Sequence, residues 1–315
     1  MNRELPSAAA RERSDGMYDV IVVGGGPAGL SAALLLGRSN RKVLVCDGGE
    51  YRNELSPEMH GFLSRDGIAP GELLRISRAQ LEPYAVDFVA ARVTDAARER
   101  DGFVVTLARG EQVRGRKLLL ATGLVDELPP LAGFAALWGR SVFGCPYCHA
   151  WELRGAPLGV HGEGGAELAL SLLRWSDDVV FFTDDHGPLP ADQAERLAAA
   201  GVRVRDERVV QLVGHDGVLA HVELAAGPVE PRQALFLKLK QRQRSDLAEK
   251  LALPVDAQHG VETGKRETTR VPGLFLAGDA SRDVMFAIVA AAEGAVAGLA
   301  IDTELQTEDR AARRR

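Results

Sequence analysis

Hydrophobic runs that end in glycine divide the chain into alternating strands and helices. Residues 18–23 are a β-branched run followed by glycines, which predicts a buried parallel strand. Residues 27–38 are rich in alanine and leucine and predict a helix, and residues 42–46 predict the next strand. Together they make a β-α-β unit, from which parallel sheets are built.

The same pattern returns in the middle of the chain. Residues 158–161 and 179–182 predict strands, with a helix over 165–175 between them. This second unit resembles the first, which favours an internal duplication of a nucleotide-binding unit. Further predicted elements are strands over 117–120 and 273–277 and a long apolar helix over 283–301. Because no low-complexity linker separates the parts, we expect a middle domain inserted into the first.

A glycine-rich turn follows the first predicted strand. Gly24-x-Gly26-x-x-Gly29 has the spacing of a dinucleotide fingerprint, and Asp47 follows the next strand. The first glycine permits a tight turn, the second lets backbone approach a pyrophosphate, and the third lets the helix lie close to the strand. Asp47 would accept hydrogen bonds from a ribose. The motif predicts a dinucleotide site, with a glycine-rich turn that binds nothing as the alternative.

Two cysteines separated by two residues lie on a predicted strand-to-helix turn. A Cys-x-x-Cys pair that opens a helix puts both sulfurs on one face, within disulfide range and near the positive end of the helix dipole. Cys145 and Cys148 therefore predict a redox dithiol. His149 follows directly, and since imidazole titrates near neutral pH it is a candidate general acid or base. A histidine on the helix surface is the alternative.

The sequence Cys-x-x-Cys-His is also the attachment signature of c-type haem, and cysteines bind zinc. Haem attachment needs export or dedicated machinery, which the polar leader over residues 1–16 does not support. Zinc needs four ligands, and the third thiol, Cys46, falls in a predicted buried strand as a core residue. We therefore expect neither haem nor metal.

Composition further narrows the class of protein and its possible partners. The 315 residues are 46% hydrophobic and 26% charged, which suits a two-domain globular enzyme. A net charge of −6 gives no electrostatic case for nucleic acid or an anionic membrane as partner. No apolar run is long enough to span a bilayer. Three cysteines do not make a disulfide scaffold, which is typical of a cytoplasmic protein.

The order of these elements resembles the low-molecular-weight thioredoxin reductase family of pyridine nucleotide-disulphide oxidoreductases over residues 17–307. The resemblance rests on the glycine fingerprint, on Ala121-Thr122-Gly123 and Gly278-Asp279, and on the dithiol between them. It implies an α/β fold, a Rossmann-like FAD domain that is discontinuous in sequence, an inserted smaller nucleotide-binding-like domain carrying the pair, and a homodimer. The domains would be 1–16 as leader, 17–127 and 236–307 for FAD, 128–235 for the insertion, and 308–315 as tail.

The resemblance also implies roles for single residues. Cys148 would face the isoalloxazine ring and Cys145 would exchange with the substrate sulfur. Asp279 would point at the ribityl-phosphate side of the flavin, and Asn53 would hydrogen-bond the ring region. The implied FAD contacts are Gly24, Gly26, Pro27, Ala28, Gly29, Asp47, Asn53, Ala121, Thr122, Gly123, Gly278, Asp279, Phe286 and Ala287.

The second glycine turn departs from the family pattern. Glu163 would repel a pyrophosphate, and Glu167 stands where a small residue should let helix meet strand. Asp184 and Asp185 occupy the place where relatives that use NADPH carry arginines, which disfavours NADPH by charge. An NADH site and a vestigial site both stay open. The basic segment 238–244 is interpreted as a solvated loop.

Cys-Pro-Tyr-Cys-His followed by Trp151-Glu152 also resembles dithiol oxidases of the gliotoxin and holomycin type. We therefore predict an FAD-dependent thiol-disulfide oxidoreductase that makes weak or no use of NADPH and acts on a protein or small-molecule dithiol or disulfide. The alternatives are an NAD(P)H-dependent thioredoxin or small-disulfide reductase and a low-turnover flavin redox sensor. His60 lies near the dithiol or caps a loop, and the sequence leaves both open.

Overall fold

The computed structural model describes residues 16–256, 260–281 and 284–314. They form two compact units. The first contains the described residues up to Arg52, Gly71–Val125, and those from Gln241 onward; the second contains Asn53–Pro70 and Asp126–Lys240. Segment 53–70 therefore groups with the second unit, whereas the sequence had placed it in the first domain. The predicted leader lies outside the described residues, apart from Gly16.

Strands and helices alternate along the described chain, as an α/β fold requires. The strands are β1 (Tyr18–Val23), β2 (Val43–Cys46), β3 (Val86–Val89), β4 (Val93–Glu99), β5 (Gly102–Leu107), β6 (Gln112–Leu120), β7 (Leu124–Asp126), β8 (Val142–Phe143), β9 (Leu158–His161), β10 (Val179–Phe182), β11 (Arg203–Arg205), β12 (Val209–His215), β13 (Val218–Leu224), β14 (Glu230–Pro231), β15 (Ala234–Leu237), β16 (Gln241–Gln243) and β17 (Leu274–Leu276). The α-helices are α1 (Pro27–Arg38), α2 (Pro70–Ala79), α3 (Phe134–Leu137), α4 (Pro146–His149), α5 (Ala166–Leu172), α6 (Ala191–Ala199), α7 (Leu247–Lys250) and α8 (Ala287–Ala312). A single 3-10 turn covers Lys265–Glu267.

The first unit is organised on a seven-stranded sheet in the order β3-β2-β1-β6-β5-β4, with β17 also paired to β6. Strands β1, β2, β3, β6 and β17 pair in parallel, and β4 and β5 are antiparallel. Ile21 and Val22 of β1 are fully buried because apolar residues cover both faces of the sheet. Helices α1 and α8 contribute to the cluster on one face, and α7 contributes to the other.

The second unit has a five-stranded parallel sheet in the order β11-β10-β9-β15-β8 and a three-stranded antiparallel sheet, β12-β13-β14. Val160, Phe181 and Phe236 of the parallel strands are buried in one hydrophobic cluster. Strands that are buried on both faces read as continuous apolar runs, which is why residues 158–161 and 179–182 were recognisable from the sequence. The α/β fold class is confirmed.

The structure corrects the expectations for the last helix, for the predicted tail and for segment 238–244. Helix α8 begins at Ala287 and continues to Ala312, whereas the predicted helix covered 283–301; Asp283 itself lies outside the described residues. The first residues of the predicted tail are therefore helical. Asp309 explains this extension, because its carboxylate pairs with Arg41 at 2.7 Å and with Arg116 at 2.9 Å. Segment 238–244 is not wholly a loop, since it contains β16, which pairs with β7.

Candidate active site and nucleotide-binding edges

The glycine fingerprint lies at the carboxyl end of β1, where the chain turns into α1. Gly24 has φ +113°, and a Cβ there would lie 2.2 Å from the carbonyl oxygen of Ala121. A Cβ on Gly29 would lie 1.9 Å from the carbonyl oxygen of Gly24, so this glycine lets the helix approach the strand. A Cβ on Gly26 would meet nothing within 4 Å. Two glycines are thus required by packing, and the third borders open space.

Asp47 is held firmly at the end of β2. Its carboxylate accepts hydrogen bonds from the Gly49 amide at 3.1 Å, from the Tyr51 hydroxyl at 2.5 Å and from Arg78 at 2.5 Å. Burial, together with this hydrogen bond to Asp47, raises the pKa of Tyr51 to about 12. A Cβ on Gly25 would lie 2.3 Å from the same carboxylate, so Gly25 is required here as well. Sequence reasoning missed it, although the uninterrupted Gly24-Gly25-Gly26 run was the signal.

The end of β17 brings Gly278 and Asp279 to the same sheet edge, since β17 and β1 both run parallel to β6. The Gly278 amide donates to the buried Glu293 carboxylate of α8 at 2.8 Å, which ties the strand end to the helix. Arg52 donates to Asp279 at 3.0 Å and also contacts the Met285 sulfur. Sequence reasoning did not identify Arg52 or Glu293, because nothing in their local pattern points to this edge.

The other residues predicted to contact the flavin divide into two groups. Thr122 and Gly123 follow β6, and Phe286 immediately precedes α8, which begins at Ala287, all in the first unit. Asn53 is exposed and groups with the second unit, where its carbonyl oxygen accepts a hydrogen bond from the Ser56 amide.

This edge has the features that a dinucleotide needs. Gly26 borders open space, which a Cβ at that position would enter, at the start of a 12-residue helix whose first backbone amides lack partners within the helix. The Asp47 carboxylate stands at the adjacent strand end. The residues present therefore fit FAD, and Gly26, Asp47 and Asp279 are the residues that would hold it.

The corresponding edge of the second unit has different chemistry. At the end of β9, buried His161 has its Nε2 atom 3.2 Å from Asp184 Oδ2. The other oxygen of Asp184 accepts a hydrogen bond from the Val209 amide of β12 at 2.7 Å. Burial lowers the pKa of His161. The Asp184 carboxylate acts to raise this pKa, but its effect is smaller. Asp184 thus accepts a hydrogen bond from the backbone and lies beside the His161 ring.

Glu167 does not lie where helix meets strand. It is exposed on α5 and forms a bidentate pair with Arg196 of α6, with oxygen-nitrogen distances of 2.5 and 3.1 Å. Gly165 makes the close helix-strand approach instead, since a Cβ there would lie 2.5 Å from the Phe181 ring. Glu163 is exposed in the glycine turn, where its carboxylate adds negative charge to this edge.

The dithiol is present as a disulfide between Cys145 and Cys148, with Cα atoms 5.4 Å apart. Both cysteines are half-buried. Cys145 caps α4, which is a single turn of four residues, so the helix that the sequence predicted here is short. Tyr147, between the cysteines, and Trp151 just after them are 69% and 63% exposed. Large aromatic side chains at this exposure suit contact with a partner molecule.

His149 stacks on Phe143, with ring centroids 4.1 Å apart and planes 20° from parallel. Burial lowers the pKa of His149 to about 4, and the nearby charge of His60 contributes in the same direction. His149 is therefore neutral at pH 7. It can accept a proton, but the imidazolium that forms is disfavoured in this environment.

His60 lies in the second unit, where its Nε2 atom is 3.6 Å from the carboxylate of Glu152. Its charge affects His149, and its ring is surrounded by carboxylates of Glu58, Asp66 and Glu152 at 3.4–3.6 Å. Glu152 belongs to the chain that follows the pair. His60 itself is 16% exposed.

Cys46 is a core residue, as predicted. It is 1% exposed, and burial raises the pKa of its thiol to about 12. Among the described residues, no group of histidine, cysteine and carboxylate side chains could hold a metal ion. In the same part of the chain no helix has the length and apolar character needed to cross a membrane.

Comparisons with known proteins agree with this geometry. The profile of the pyridine nucleotide-disulphide oxidoreductases matches residues 18–294. Thioredoxin reductase tcpT from Claviceps purpurea is 32% identical and covers 92% of this chain and 94% of its own. The oxidoreductase from Agrobacterium tumefaciens has a TM-score of 0.86 and 38% identity over 92% of this chain and 99% of its own. The structure of HlmI has a TM-score of 0.91 and 37% identity over 96% of both chains.

Proposed function

The chain belongs to the pyridine nucleotide-disulphide oxidoreductase family, and on this basis we propose that it is an FAD-dependent dithiol oxidase that uses Cys145 and Cys148. The family consists of FAD-binding flavoproteins, and the chain is a flavin-dependent oxidoreductase acting on sulfur groups. The half-buried disulfide on α4 is the group that would exchange with the substrate. The observation that carries the more specific proposal is the negative charge of Glu163 and Asp184 at the second glycine turn. Family membership is also our ground for proposing a homodimer.

The exchange with a substrate dithiol balances without a further reagent. The first substrate thiol loses its proton, and its sulfur bonds to Cys145 Sγ while the Cys145–Cys148 bond breaks and leaves the electron pair on Cys148. The second substrate thiol attacks the mixed disulfide, closes the substrate disulfide and releases Cys145 as a thiol. The substrate is oxidised by two electrons, and the pair is reduced by two. When bound, FAD supplies the two-electron acceptor that restores the disulfide and passes the electrons to oxygen.

We propose that His149 receives the proton of the first thiol. It follows Cys148 directly, and its ring is neutral at pH 7 because its pKa is about 4. A neutral imidazole can act as a base, whereas an imidazolium cannot. The stacking on Phe143 fixes the orientation of the ring.

The charge at the glycine turn of the second unit disfavours NADPH as an electron donor, which supports the oxidase over a reductase. Asp184 follows β10 at this edge, and Glu163 adds negative charge in the glycine turn. Carboxylates at these positions repel the 2′-phosphate and the pyrophosphate of NADPH. The relatives named thioredoxin reductase favour the alternative function, reduction of a disulfide at the expense of NAD(P)H.

An anaerobic titration of the purified holoprotein decides between them. We expect dithiothreitol to bleach the flavin absorbance, NADPH and NADH to leave it unchanged, and oxygen to restore it promptly. Prompt bleaching by NADPH or NADH would instead identify a reductase. Bleaching by dithiothreitol with very slow recovery in oxygen would favour the redox sensor over the oxidase.

A further inference from the structure

Two neighbouring side chains, Tyr51 and Arg52, hold the two carboxylates at the FAD edge of the first unit. The Tyr51 hydroxyl donates to Asp47 Oδ2 at 2.5 Å. Arg52 donates from Nη1 to Asp279 Oδ2 at 3.0 Å, and the same nitrogen contacts the Met285 sulfur. Asp47 follows β2 and Asp279 lies beyond the end of β17. Residues adjacent in the chain therefore reach two different strand ends.

These two strand ends are not neighbours in the sheet. At its carboxyl edge the strand order is β2-β1-β6-β17, because β17 pairs with the last residues of β6. Neighbouring strands lie about 4.8 Å apart, so the ends of β2 and β17 are separated by about 14 Å. The glycine fingerprint after β1 lies between them. Residues 51–52 thus connect the two sides of the edge that fits FAD.

The turn that carries Asp279 is anchored through its backbone. The carbonyl oxygen of Ala280 accepts hydrogen bonds from the Val261 amide at 3.1 Å and from the Gln243 side chain at 3.0 Å. Backbone contacts place the residue, but they do not orient its carboxylate. The ion pair with Arg52 does this, and it is shielded from solvent, since the two side chains are 26% and 20% exposed.

Arg52 also balances charge at this edge. The pyrophosphate of FAD is negative, so carboxylates without a counter-charge would repel it. Asp47 has its counter-charge in Arg78, at 2.5 Å, and Asp279 has its counter-charge in Arg52. A carboxylate held through one oxygen keeps its second oxygen as an acceptor for a ligand hydroxyl.

We propose that Arg52 is a positioning residue for FAD, which orients Asp279 and offsets its charge so that this carboxylate accepts a hydroxyl from the flavin half of the cofactor. Tyr51 does the corresponding work for the adenosine half through Asp47. The inference rests on the FAD of the proposed function and not on the direction of electron flow.

The test measures the dissociation constants of FAD and of ADP for the full-length protein, with ADP as the competitor that displaces FAD. ADP contains the adenosine half alone. A hydrogen bond to a charged group contributes about tenfold or more to an affinity, so we expect Arg52→Gln to weaken FAD binding by about tenfold and to leave ADP binding unchanged. Tyr51→Phe should weaken the binding of both ligands by about threefold. Equal weakening of both ligands in Arg52→Gln would overturn the proposal, since a distorted edge gives that result.

A double-mutant cycle tests whether Arg52 acts through Asp279. Beside Asp279→Asn, the Arg52→Gln substitution should weaken FAD binding by no more than about twofold further. A further tenfold loss would overturn the proposal, because the arginine would then act on FAD without the carboxylate. An Arg52→Gln protein that binds FAD as tightly as wild type would overturn it as well. If Arg52→Gln does not fold, Arg52→Met takes its place under the same criteria.

Arg75→Gln is the matched control, because Arg75 pairs with Glu72 on the surface of the first unit and its side chain is 68% exposed. It should change neither dissociation constant.

The outcomes separate this proposal from the proposed function, because no electron transfer is measured. If dithiothreitol does not bleach the flavin, the oxidase proposal fails, and the two dissociation constants still decide the role of Arg52. If the flavin is bleached and Arg52→Gln weakens FAD and ADP equally, the oxidase proposal stands and the Arg52 proposal fails. A wild-type protein that binds no FAD would overturn both.

Discussion

At the scale of single residues, environment rather than identity decides what each histidine can do. His149 and His60 have the same side chain and lie in the same unit, yet one is packed on an aromatic ring and the other is surrounded by carboxylates. The sequence identified His149 from its place after the pair. The sequence could not predict that the pKa of His149 is lowered, because the burial of His149 against Phe143 arises only when β8 and α4 come together.

The depressed pKa of His149 has a consequence for stability in acid. The unfolded chain binds a proton near the ordinary histidine pKa of about 6.5, whereas the folded chain does so only near 4, so acid favours unfolding between these values. At pH 5 the loss attributable to His149 is about 2 kcal/mol. We expect His149→Gln to lose less unfolding free energy than wild type between pH 7 and pH 5, by about this amount. Urea unfolding of the oxidised proteins at both pH values measures it.

This prediction has a control variant and an outcome that would contradict it. His215→Gln removes an exposed histidine and should follow wild type at both pH values. Identical losses for wild type and His149→Gln would show that His149 is protonated as easily in the folded chain as in the unfolded one.

At the scale of elements, glycines around α1 serve two purposes: some allow close packing, and one leaves open space beside the helix start. Gly29 and Gly294 are packing positions: a Cβ on Gly294 of α8 would lie 1.9 Å from the Ala28 carbonyl oxygen. Gly26 borders open space and has an extended backbone that any residue can adopt. The sequence predicted the tight turn at Gly24 and the close helix-strand approach at Gly29, but the approach of α8 to α1 at Gly294 needed the structure.

This difference predicts two distinct phenotypes. Gly26→Ala should fold with unchanged unfolding free energy, because its methyl meets no protein atom, but should bind FAD at least about tenfold more weakly because the methyl enters the ligand's space. Gly294→Ala should lose about 1–3 kcal/mol of unfolding free energy, because α8 must move away from α1. Equilibrium unfolding and flavin retention on gel filtration measure the two effects.

Gly71→Ala is the matched control, since a Cβ there meets nothing within 4 Å and Gly71 lies in helix α2, away from the fingerprint. It should leave both stability and flavin content at wild-type levels or slightly above. A Gly26→Ala protein that keeps its full flavin content would contradict the assignment of this edge.

At the scale of the whole molecule, two units with separate hydrophobic cores share one chain. The repeated β-α-β pattern was recognisable from the sequence, because parallel strands buried on both faces read as continuous apolar runs. The inserted domain was predicted from the lack of a low-complexity linker between the parts. The sequence could not place segment 53–70 with the second unit, since that depends on long-range contacts of a loop without periodicity. For the same reason His60 could not be assigned from the sequence.

The chain carries a separate optical probe for each unit. Its three tryptophans, Trp138, Trp151 and Trp175, all lie in the second unit, while the proposed flavin site lies in the first. Removing a buried phenylalanine side chain costs about 3–5 kcal/mol. We expect Phe181→Ala to lower the urea concentration at the midpoint of unfolding followed by tryptophan fluorescence. The midpoint followed by the flavin should not change. Phe275→Ala, in the first unit, should do the reverse.

The two substitutions are matched, because Phe181 and Phe275 are 2% and 1% exposed and lose the same atoms. If both probes shift together in both variants, the units unfold as one cooperative body.

The burial of Cys46 also makes it simple to attach a dye or an electrode to this protein at a defined place. The chain has three thiols, and the one outside the redox pair is sealed in β2, where a maleimide dye or a gold-linking tether does not reach it. Any such reagent applied to the reduced protein would attach at Cys145 and Cys148. A fluorophore or electrode joined in this way would therefore sit at the redox centre without any cysteine having been engineered in or out.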